Sequence, residues 1–344
     1  MNTDSSLDST VRVLWASTAA LARTVENPAV TVEAEYGEYV AEGTLYTAAH
    51  HQKSGPYVGT HAGGDRRAPC NDLDIPTIIE GIILVSHLDL DTVGGVLRAN
   101  AVRFAKEKRG VGLFGPFMES FWDTAEFVDT NGAHALSEEN EHHDIFKAWW
   151  KWLEDNRPRI NRDEVVDVTD FLDECHEVLC ALFAPHRYET FGKEAFFERR
   201  DELLAAGKAW WEANKALNQS SFVGAQITAN GRVIAVRVAN QFVNHIYELP
   251  EINLKADCIC ALDTKTKSIR LSFLDNGKTL NACDTIRRVW GDKDEDGRYL
   301  AGGHPGIAGT PRGKRQGLAG LWGLVHTVVQ SYEAQEVCEA VPLL

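Results

Sequence analysis

The stretch that decides the fold runs from residue 77 to residue 96 and reads TIIEGIILVSHLDLDTVGGV. Residues 77–85 form an almost continuous apolar run, which is typical of a parallel strand that is covered on both faces. A helical pattern follows from about Val93 to Lys108. A buried strand that leads directly into a helix predicts an α/β fold built on a parallel sheet.

Three ligand-type side chains, His87, Asp89 and Asp91, stand between this strand and this helix. Ligands of open α/β sheets bind beyond the carboxyl ends of the strands. Because alternate residues of an extended segment point the same way, we expect the three side chains to converge. One imidazole and two carboxylates suit a divalent metal such as Mn²⁺. A structural interpretation is also open, in which His87 ends the strand and the aspartates cap the helix.

The chain before this stretch predicts one helix, two strands and a loop. Residues 10–25 carry apolar side chains at helical spacing, whereas residues 30–35 and 43–49 have the composition of strands. A loop rich in Gly, Pro and polar residues follows over about 51–76. Its segment 61–72 mixes acidic and basic residues, so we interpret it either as a lid or substrate contact or as an ordinary surface loop.

The chain after this stretch predicts two further helices, over 136–155 and 164–184, and a charged helical segment over 191–219. Beyond that segment the sequence becomes β-rich, and Asn230-Gly231 between two strand-like runs predicts a hairpin. We therefore predict three parts. Residues 1–190 form a domain with a parallel sheet and helices on both faces, of which 1–76 are atypical. Residues 191–219 connect it to a smaller mixed α/β domain over 220–344.

The composition and charge of the chain limit the classes of ligand that we expect it to bind. The chain has 344 residues and a formal net charge of −15, which disfavours binding to long nucleic acid. A small phosphorylated substrate stays compatible, because a bound divalent cation reverses the local charge. The seven cysteines lack zinc-ribbon spacing, and neither a signal peptide nor a membrane span is recognisable. We expect reduced thiols, a cytoplasmic location and no membrane partner.

Two motifs far apart in the chain resemble those of one enzyme family. His87-Leu-Asp89-Leu-Asp91, followed closely by Gly94, resembles the first motif of the DHH phosphoesterase superfamily. Residues 302–309 read GGHPGIAG and resemble the Gly-Gly-His signature of the C-terminal domain associated with that superfamily. The two motifs stand in the family's order, and the resemblance covers roughly residues 77–312.

The resemblance implies a site for two metal ions, usually Mn²⁺, with Mg²⁺ as the other choice. It assigns His87, Asp89 and Asp91 as ligands and adds Asp129, which stands in the strand-like run 127–130. Asp91 and Asp129 are the candidates to bridge the two ions. The family's last aspartate corresponds to Asp167 or Asp170, which are also typical of the solvated face of a helix.

The Asp-His-His tripeptide that names the superfamily is absent, and two His-His pairs are candidates to replace it. His142-His143 follows Glu141 and lies in the expected chain order. His50-His51 follows a predicted strand, although it precedes His87. Either pair would supply a metal ligand or a general acid, so the catalytic candidates are Asp91, His142 and His143, and the metal candidates include His50 and His51.

The resemblance also assigns Gly302, Gly303, His304 and Arg312 to substrate binding. It implies a divalent-metal-dependent phosphoesterase that cleaves a phosphodiester in a short oligonucleotide or nucleotide-like small molecule. Two alternatives stay open: a degenerate nucleotide-binding protein without turnover, and a hydrolase of polyphosphate or pyrophosphate. Edge strands in the β-rich second domain are compatible with a homodimer.

Overall fold

A computed structural model describes residues 10–34, 36, 39–50, 58–59, 67–106, 118–159, 161, 163–183, 194–240, 247–293, 299–311 and 314–339. The architecture is mixed α/β, and the chain divides into two compact units. The first unit comprises Met1–Thr130 and Glu138–Lys208, and the second comprises Asn131–Ser137 and Ala209–Leu344. No helix of the described ranges is both long enough and apolar enough to cross a bilayer.

The sheet of the first unit has five strands in the order β3-β2-β4-β1-β5. Their bounds are β1 (Thr10–Trp15), β2 (Val30–Val32), β3 (Tyr46–Ala48), β4 (Glu80–Val85) and β5 (Val166–Asp167). The first four strands are parallel, and β5 pairs antiparallel with β1 at one edge. The parallel sheet predicted from the apolar run at residues 77–85 is therefore present, with the motif strand β4 at its centre.

The helix predicted over residues 10–25 is wrong. Residues Thr10–Trp15 form strand β1, which pairs with β4 over its whole length, and only Ala19–Ala22 form a short helix, α1. The run TVRVLW is rich in β-branched and aromatic residues, which pack well on a sheet. Pairing with the neighbouring strand decided the structure, whereas the helical spacing of a few apolar residues was incidental.

The helices of the first unit follow the predicted segments in most places. Their bounds are α2 (Leu90–Ala99), α3 (Ala101–Lys106), α4 (Glu119–Asn131), α5 (His143–Asn156), α6 (Thr169–Phe183) and α7 (Glu194–Ser221). Helix α7 covers the segment predicted to connect the domains, and it contains residues of both units. Helix α4 was not predicted, and it replaces the strand end that we assigned to residues 127–130.

Helix α2 approaches its neighbours closely because it contains Gly94 and Gly95. A Cβ atom on Gly94 would lie 2.5 Å from Cβ of Cys70. A Cβ atom on Gly95 would lie 2.6 Å from Cβ of Pro69 and 2.9 Å from Cγ1 of Val32. These distances are too short for any side chain, so the two glycines let α2 pack directly against β2 and the 3₁₀ turn Pro69–Asn71.

The sheet of the second unit has the order β12-β13-β11-β10-β7-β6, in which β10 and β7 are parallel and the other pairs antiparallel. The strands are β6 (Phe222–Ile227), β7 (Val233–Ala239), β8 (Glu248–Leu249), β9 (Leu254–Lys255), β10 (Cys258–Asp263), β11 (Ser268–Phe273), β12 (Gly302–Gly303) and β13 (Ile307–Gly309). Strands β8 and β9 form a separate pair, and the helices are α8 (Ala282–Val289) and α9 (Leu318–Glu339).

The hairpin predicted at Asn230-Gly231 is confirmed, because β6 and β7 pair antiparallel around it. Gly231 has a φ of +81°, a conformation that glycine adopts without steric cost. Cys258 and Cys260 alternate on β10 and belong to one buried core cluster. Cys258, Cys260 and four further cysteines are buried free thiols: Cys70, Cys175, Cys180 and Cys283.

We predict that Gly95→Ala destabilises the first unit by about 1–3 kcal/mol, because the new methyl group would overlap Pro69 and Val32. Denaturant unfolding followed by circular dichroism measures the change. Gly323→Ala is the control: Gly323 is an exposed residue of α9 whose added Cβ would meet no atom within 4 Å. That substitution should stabilise the protein by up to about 1 kcal/mol through helix propensity. A Gly95→Ala variant as stable as the wild type would contradict the close packing of α2.

Candidate metal centre

The carboxyl ends of the parallel strands bring distant residues to one edge of the first sheet. Val85 of β4 is in register with Val32 of β2, and Val32 is in register with Ala48 of β3. The segments that follow β2, β3 and β4 therefore leave the sheet side by side. Glu33 follows β2, His50 follows β3, and residues 87–91 follow β4.

Two sets of three ligand-type side chains meet at this edge. The Glu33 set consists of Glu33, His50 and Asp91, and each residue offers a ligand atom within 4.8 Å of the other two. The Asp129 set consists of Asp89, Asp91 and Asp129, with the same spacing. Asp91 belongs to both sets. Carboxylate oxygens and an imidazole nitrogen are the donors that Mn²⁺ and Mg²⁺ take in proteins.

Asp91 lies in the first turn of α2 and is only 1% exposed. Neither of its carboxylate oxygens accepts a hydrogen bond from the part of the chain that the structure describes. Burial, together with the carboxylates of Asp89 and Asp129, raises its pKa well above the ordinary value for aspartate. A buried carboxylate is stable when it is paired with a cation, so the environment of Asp91 fits a metal ligand.

His50 places its imidazole among the carboxylates. Its Nε2 atom lies 3.0 Å from Oδ2 of Asp129, 3.6 Å from Oδ2 of Asp91 and 3.8 Å from Oε1 of Glu33. Burial lowers the pKa of His50, but the three carboxylates outweigh burial and raise it to about 11. The imidazolium thus offsets part of the negative charge, and it contacts members of both sets. Its neighbour His51 lies outside the described residues.

Glu33 is the member of the cluster that the sequence did not identify. Its side chain is buried, and its backbone nitrogen donates a hydrogen bond to the carbonyl oxygen of Ala48. Its φ is +48°, which is unusual for a residue with a side chain and is often found at functional sites. The predicted strand 30–35 extended past Val32 and so placed Glu33 inside a strand. An acidic residue directly after an apolar run was the available signal.

Asp89 caps helix α2, as the structural interpretation of the motif predicted, and it also belongs to the Asp129 set. It is the N-cap of α2, because its Oδ1 atom accepts hydrogen bonds from the backbone and hydroxyl of Thr92. Its Oδ2 atom lies 3.1 Å from Nε2 of His87. Burial raises the pKa of Asp89, but the neighbouring His87 outweighs it and holds the pKa well below the usual range.

His87 belongs to neither set, and the structure places it beside Asp89. The Ser86 hydroxyl donates to the carbonyl oxygen of Glu33, so its Oγ accepts a hydrogen bond from Nδ1 of His87 at 2.9 Å. Burial lowers the pKa of His87, whereas Asp89 raises it, and the result is about 10. The side chains of His87 and Asp89 are 37% and 44% exposed, so this pair forms the accessible rim of the cluster.

Asp129 joins the cluster from a helix. We predicted a strand end over residues 127–130, and this context is wrong because the residues belong to α4. The helix nevertheless directs the Asp129 side chain, which is 15% exposed, to His50. The family resemblance selected a residue that reaches the cluster, although the strand-like pattern on which the selection was based is part of a helix.

The second His-His pair lies elsewhere. His142 has its Nε2 atom 2.9 Å from Oγ of Ser120 and packs edge-on against Phe121, with ring centroids 5.6 Å apart. Burial lowers the pKa of His142. His143 is the buried first residue of α5. Neither histidine belongs to the two donor sets found among the described residues.

The two aspartates proposed for the last metal motif are also absent from both sets within the described ranges. Asp167 is half-exposed, pairs with Arg12 at 2.9 Å and accepts hydrogen bonds from Thr169 at the start of α6. Asp170 lies in the first turn of the same helix. The exposed Asp170 matches the structural interpretation of a solvated helix face, whereas Asp167 lies in strand β5 and not on a helix.

The glycine-rich signature forms the hairpin of β12 and β13 in the second unit. Gly303 has a φ of +152°, and a Cβ atom there would lie 2.4 Å from the carbonyl oxygen of Ile307. His304 donates its backbone N–H to that same oxygen at 2.7 Å. The hairpin itself therefore requires Gly303, and Gly302 precedes it in β12. Arg312 lies outside the described residues.

Comparisons with known proteins add little to this geometry. No known protein family matches the chain, and no curated protein matches it. A crystal structure of an uncharacterized protein from Helicobacter pylori G27 aligns with 12% sequence identity and a TM-score of 0.18. The alignment covers 74% of this chain and 76% of that one. A similarity this low carries no argument about fold or function.

We predict that Mn²⁺ binding releases protons. His50 is protonated near neutral pH and must lose its proton before it can bind a metal, so protons compete with the ion. The apparent affinity should fall by up to about tenfold for each proton released as the pH drops by one unit between 8 and 6.

Isothermal titration calorimetry in two buffers with different ionisation enthalpies counts the protons. His142→Ala is the control, because His142 contacts Ser120 and Phe121 and should leave the count unchanged. Binding at pH 7 without proton release would contradict a ligand role for His50.

Proposed function

We propose that the chain is a divalent-metal-dependent phosphoesterase that hydrolyses a phosphodiester in a short oligonucleotide or nucleotide-like small molecule. The observation that carries the proposal is the position of Asp91 in both donor sets. A carboxylate shared by two sets is suited to bridge a pair of cations, and paired cations are typical of enzymes that cleave phosphate esters. The resemblance of residues 87–91 to the first DHH motif supports the same reaction class.

Glu33, His50 and Asp91 would hold one ion, and Asp89, Asp91 and Asp129 would hold the other. The four carboxylates and one imidazole suit Mn²⁺ best, and Mg²⁺ also accepts such oxygen donors. When bound, the ions would activate a water molecule and offset the negative charge of the phosphoryl group.

The rim of the cluster is where we place the substrate. His87 is accessible there, and Ser86 and Asp89 hold its two ring nitrogens in a fixed orientation. Because these contacts engage both ring N–H groups, His87 would act through its positive charge, and we assign to it an electrostatic attraction to the phosphoryl oxygens. The acidic chain, with a net charge of −15, favours a short substrate over long nucleic acid.

The test is an assay of the metal-stripped protein with bis-p-nitrophenyl phosphate and a short dinucleotide, with and without Mn²⁺. We expect turnover only with Mn²⁺, and we expect Asp91→Asn to abolish it, because this change removes charge from both donor sets. Asp167→Asn is the matched control, since Asp167 pairs with Arg12 outside both sets and the variant should retain activity.

The outcomes separate the alternatives. Turnover that persists in Asp91→Asn would contradict the assignment of the site. Loss of activity in Asp167→Asn at unchanged stability would return Asp167 to the list of metal ligands that the family resemblance implied. Nucleotide binding without turnover in the wild type would favour the degenerate, non-catalytic alternative.

A further inference from the structure

The loop segment 61–72, whose role the sequence left open, is described from Arg67 onward. We call residues 67–72 the bracket segment. It includes the 3₁₀ turn Pro69–Asn71 and contacts three elements: helices α4 and α2, which carry metal-type donors, and strand β3, which leads to His50. The contact with α4 consists of hydrogen bonds, the contact with α2 of close packing and a hydrogen bond, and the contact with β3 of a buried hydrogen bond.

The contact with α4 is made through Glu126. Its carboxylate accepts hydrogen bonds from Nε of Arg67 at 2.9 Å, from Nδ2 of Asn71 at 2.7 Å and from the backbone nitrogen of Ala68 at 3.2 Å. The Glu126 side chain is 20% exposed, so solvent screens these bonds only partly. Glu126 precedes Asp129 by three residues, which is about one helical turn, so the bonds fix the part of α4 that carries Asp129.

The contact with α2 depends on close packing. Cys70 lies against Gly94, and its carbonyl oxygen accepts a hydrogen bond of 2.8 Å from Nη2 of Arg98. Gly94 follows Asp91 by three residues on the same helix. The bracket segment therefore contacts the turns that carry Asp91 and Asp129, which are the two aspartates of the Asp129 set that lie on helices.

The contact with β3 is a buried hydrogen bond. The hydroxyl of Tyr46 donates to Asp72 at 2.8 Å from one oxygen and 3.0 Å from the other. Tyr46 is 5% exposed and Asp72 is 2% exposed, so the bond is made in the interior. Tyr46 begins the strand that leads to His50, and the contact fixes the element from which His50 emerges.

We propose that the bracket segment sets the spacing of the two donor sets. In this proposal Glu126 is a positioning residue for the Asp129 set, and Tyr46 with Asp72 positions the Glu33 set through His50. The inference rests on the proposed function. Carboxylates that converge on one point repel each other, and the bracket segment holds the elements that carry them at a distance a metal ion can fill.

Glu126→Ala should weaken binding of one Mn²⁺ by at least about tenfold and leave the other unchanged. Tyr46→Phe removes only a hydroxyl group and should weaken binding of the other Mn²⁺ ion. Electron paramagnetic resonance of free Mn²⁺ during a titration counts both classes of site. Asp155→Ala is the matched control: it removes an acidic side chain from α5 that pairs with Lys151 at 2.6 Å, and it should change neither class.

Melting temperatures in EDTA distinguish positioning from general stability. A merely structural role would lower the melting temperature and both affinities together. Glu126→Gln keeps an acceptor oxygen for Ala68 and should recover most of the lost affinity. If Glu126→Ala does not fold, Asn71→Ala replaces it, since it removes one donor to Glu126 and should weaken the same ion.

Each result decides a different point. Unchanged binding of both ions in Glu126→Ala, or in Asn71→Ala where that variant replaces it, would overturn the inference while the proposed function stands. Equal weakening of both ions would also overturn it. A wild-type chain that binds no Mn²⁺ would overturn the proposed function, and this inference would fall with it.

Discussion

The first unit holds several carboxylates together at one end of a parallel sheet, and its fold has to offset the repulsion between them. Two like charges about 4 Å apart repel by roughly 4 kcal/mol at an effective dielectric constant near 20. Glu33, Asp89, Asp91 and Asp129 create several such pairs, and Asp91 is almost completely buried. The imidazolium of His50 offsets part of this cost. Packing and hydrogen bonds elsewhere in the unit have to balance the repulsion that remains.

Several local devices hold these side chains in place. The positive φ of Glu33 turns the chain at the end of β2, and Asp89 caps the helix that carries Asp91. The Gly94-Gly95 pair brings that helix against its neighbours. Each device serves the fold, and each also sets the position of one donor. This double role explains why the capping and metal-ligand interpretations of the motif proved compatible at Asp89.

The sequence predicted the parts of the fold and of the site that depend on local pattern. The apolar run of β4, the helix after it and the proximity of Asp89 and Asp91 all follow from side chains that are neighbours in the chain. Glu33 was missed because its position depends on the order of strands in the sheet, which no local period encodes. The helix predicted over residues 10–25 failed for the same reason, since pairing with β4 made Thr10–Trp15 a strand.

The two His-His pairs show most clearly what the sequence alone could not predict. As dipeptides they are identical, but His50 follows a parallel strand and His142 precedes an amphipathic helix. Only the first position opens onto the end of the sheet. Asp129 is a different case, because the strand-like run that resembled the family motif selected it, and this run belongs to helix α4.

The position of β1 between β4 and β5 has a consequence for folding during synthesis. Strand β1 precedes both of its partners in the chain, and among the described residues it pairs with 80–85 and 166–167. It therefore stays without a partner strand until residues 80–85 have been translated, and unpaired strands of this kind are prone to aggregation. The donor sets share this delay, because Asp129 is translated long after Glu33. A nascent chain thus acquires its complete cluster of carboxylates only after the four parallel strands that hold the cluster have been translated.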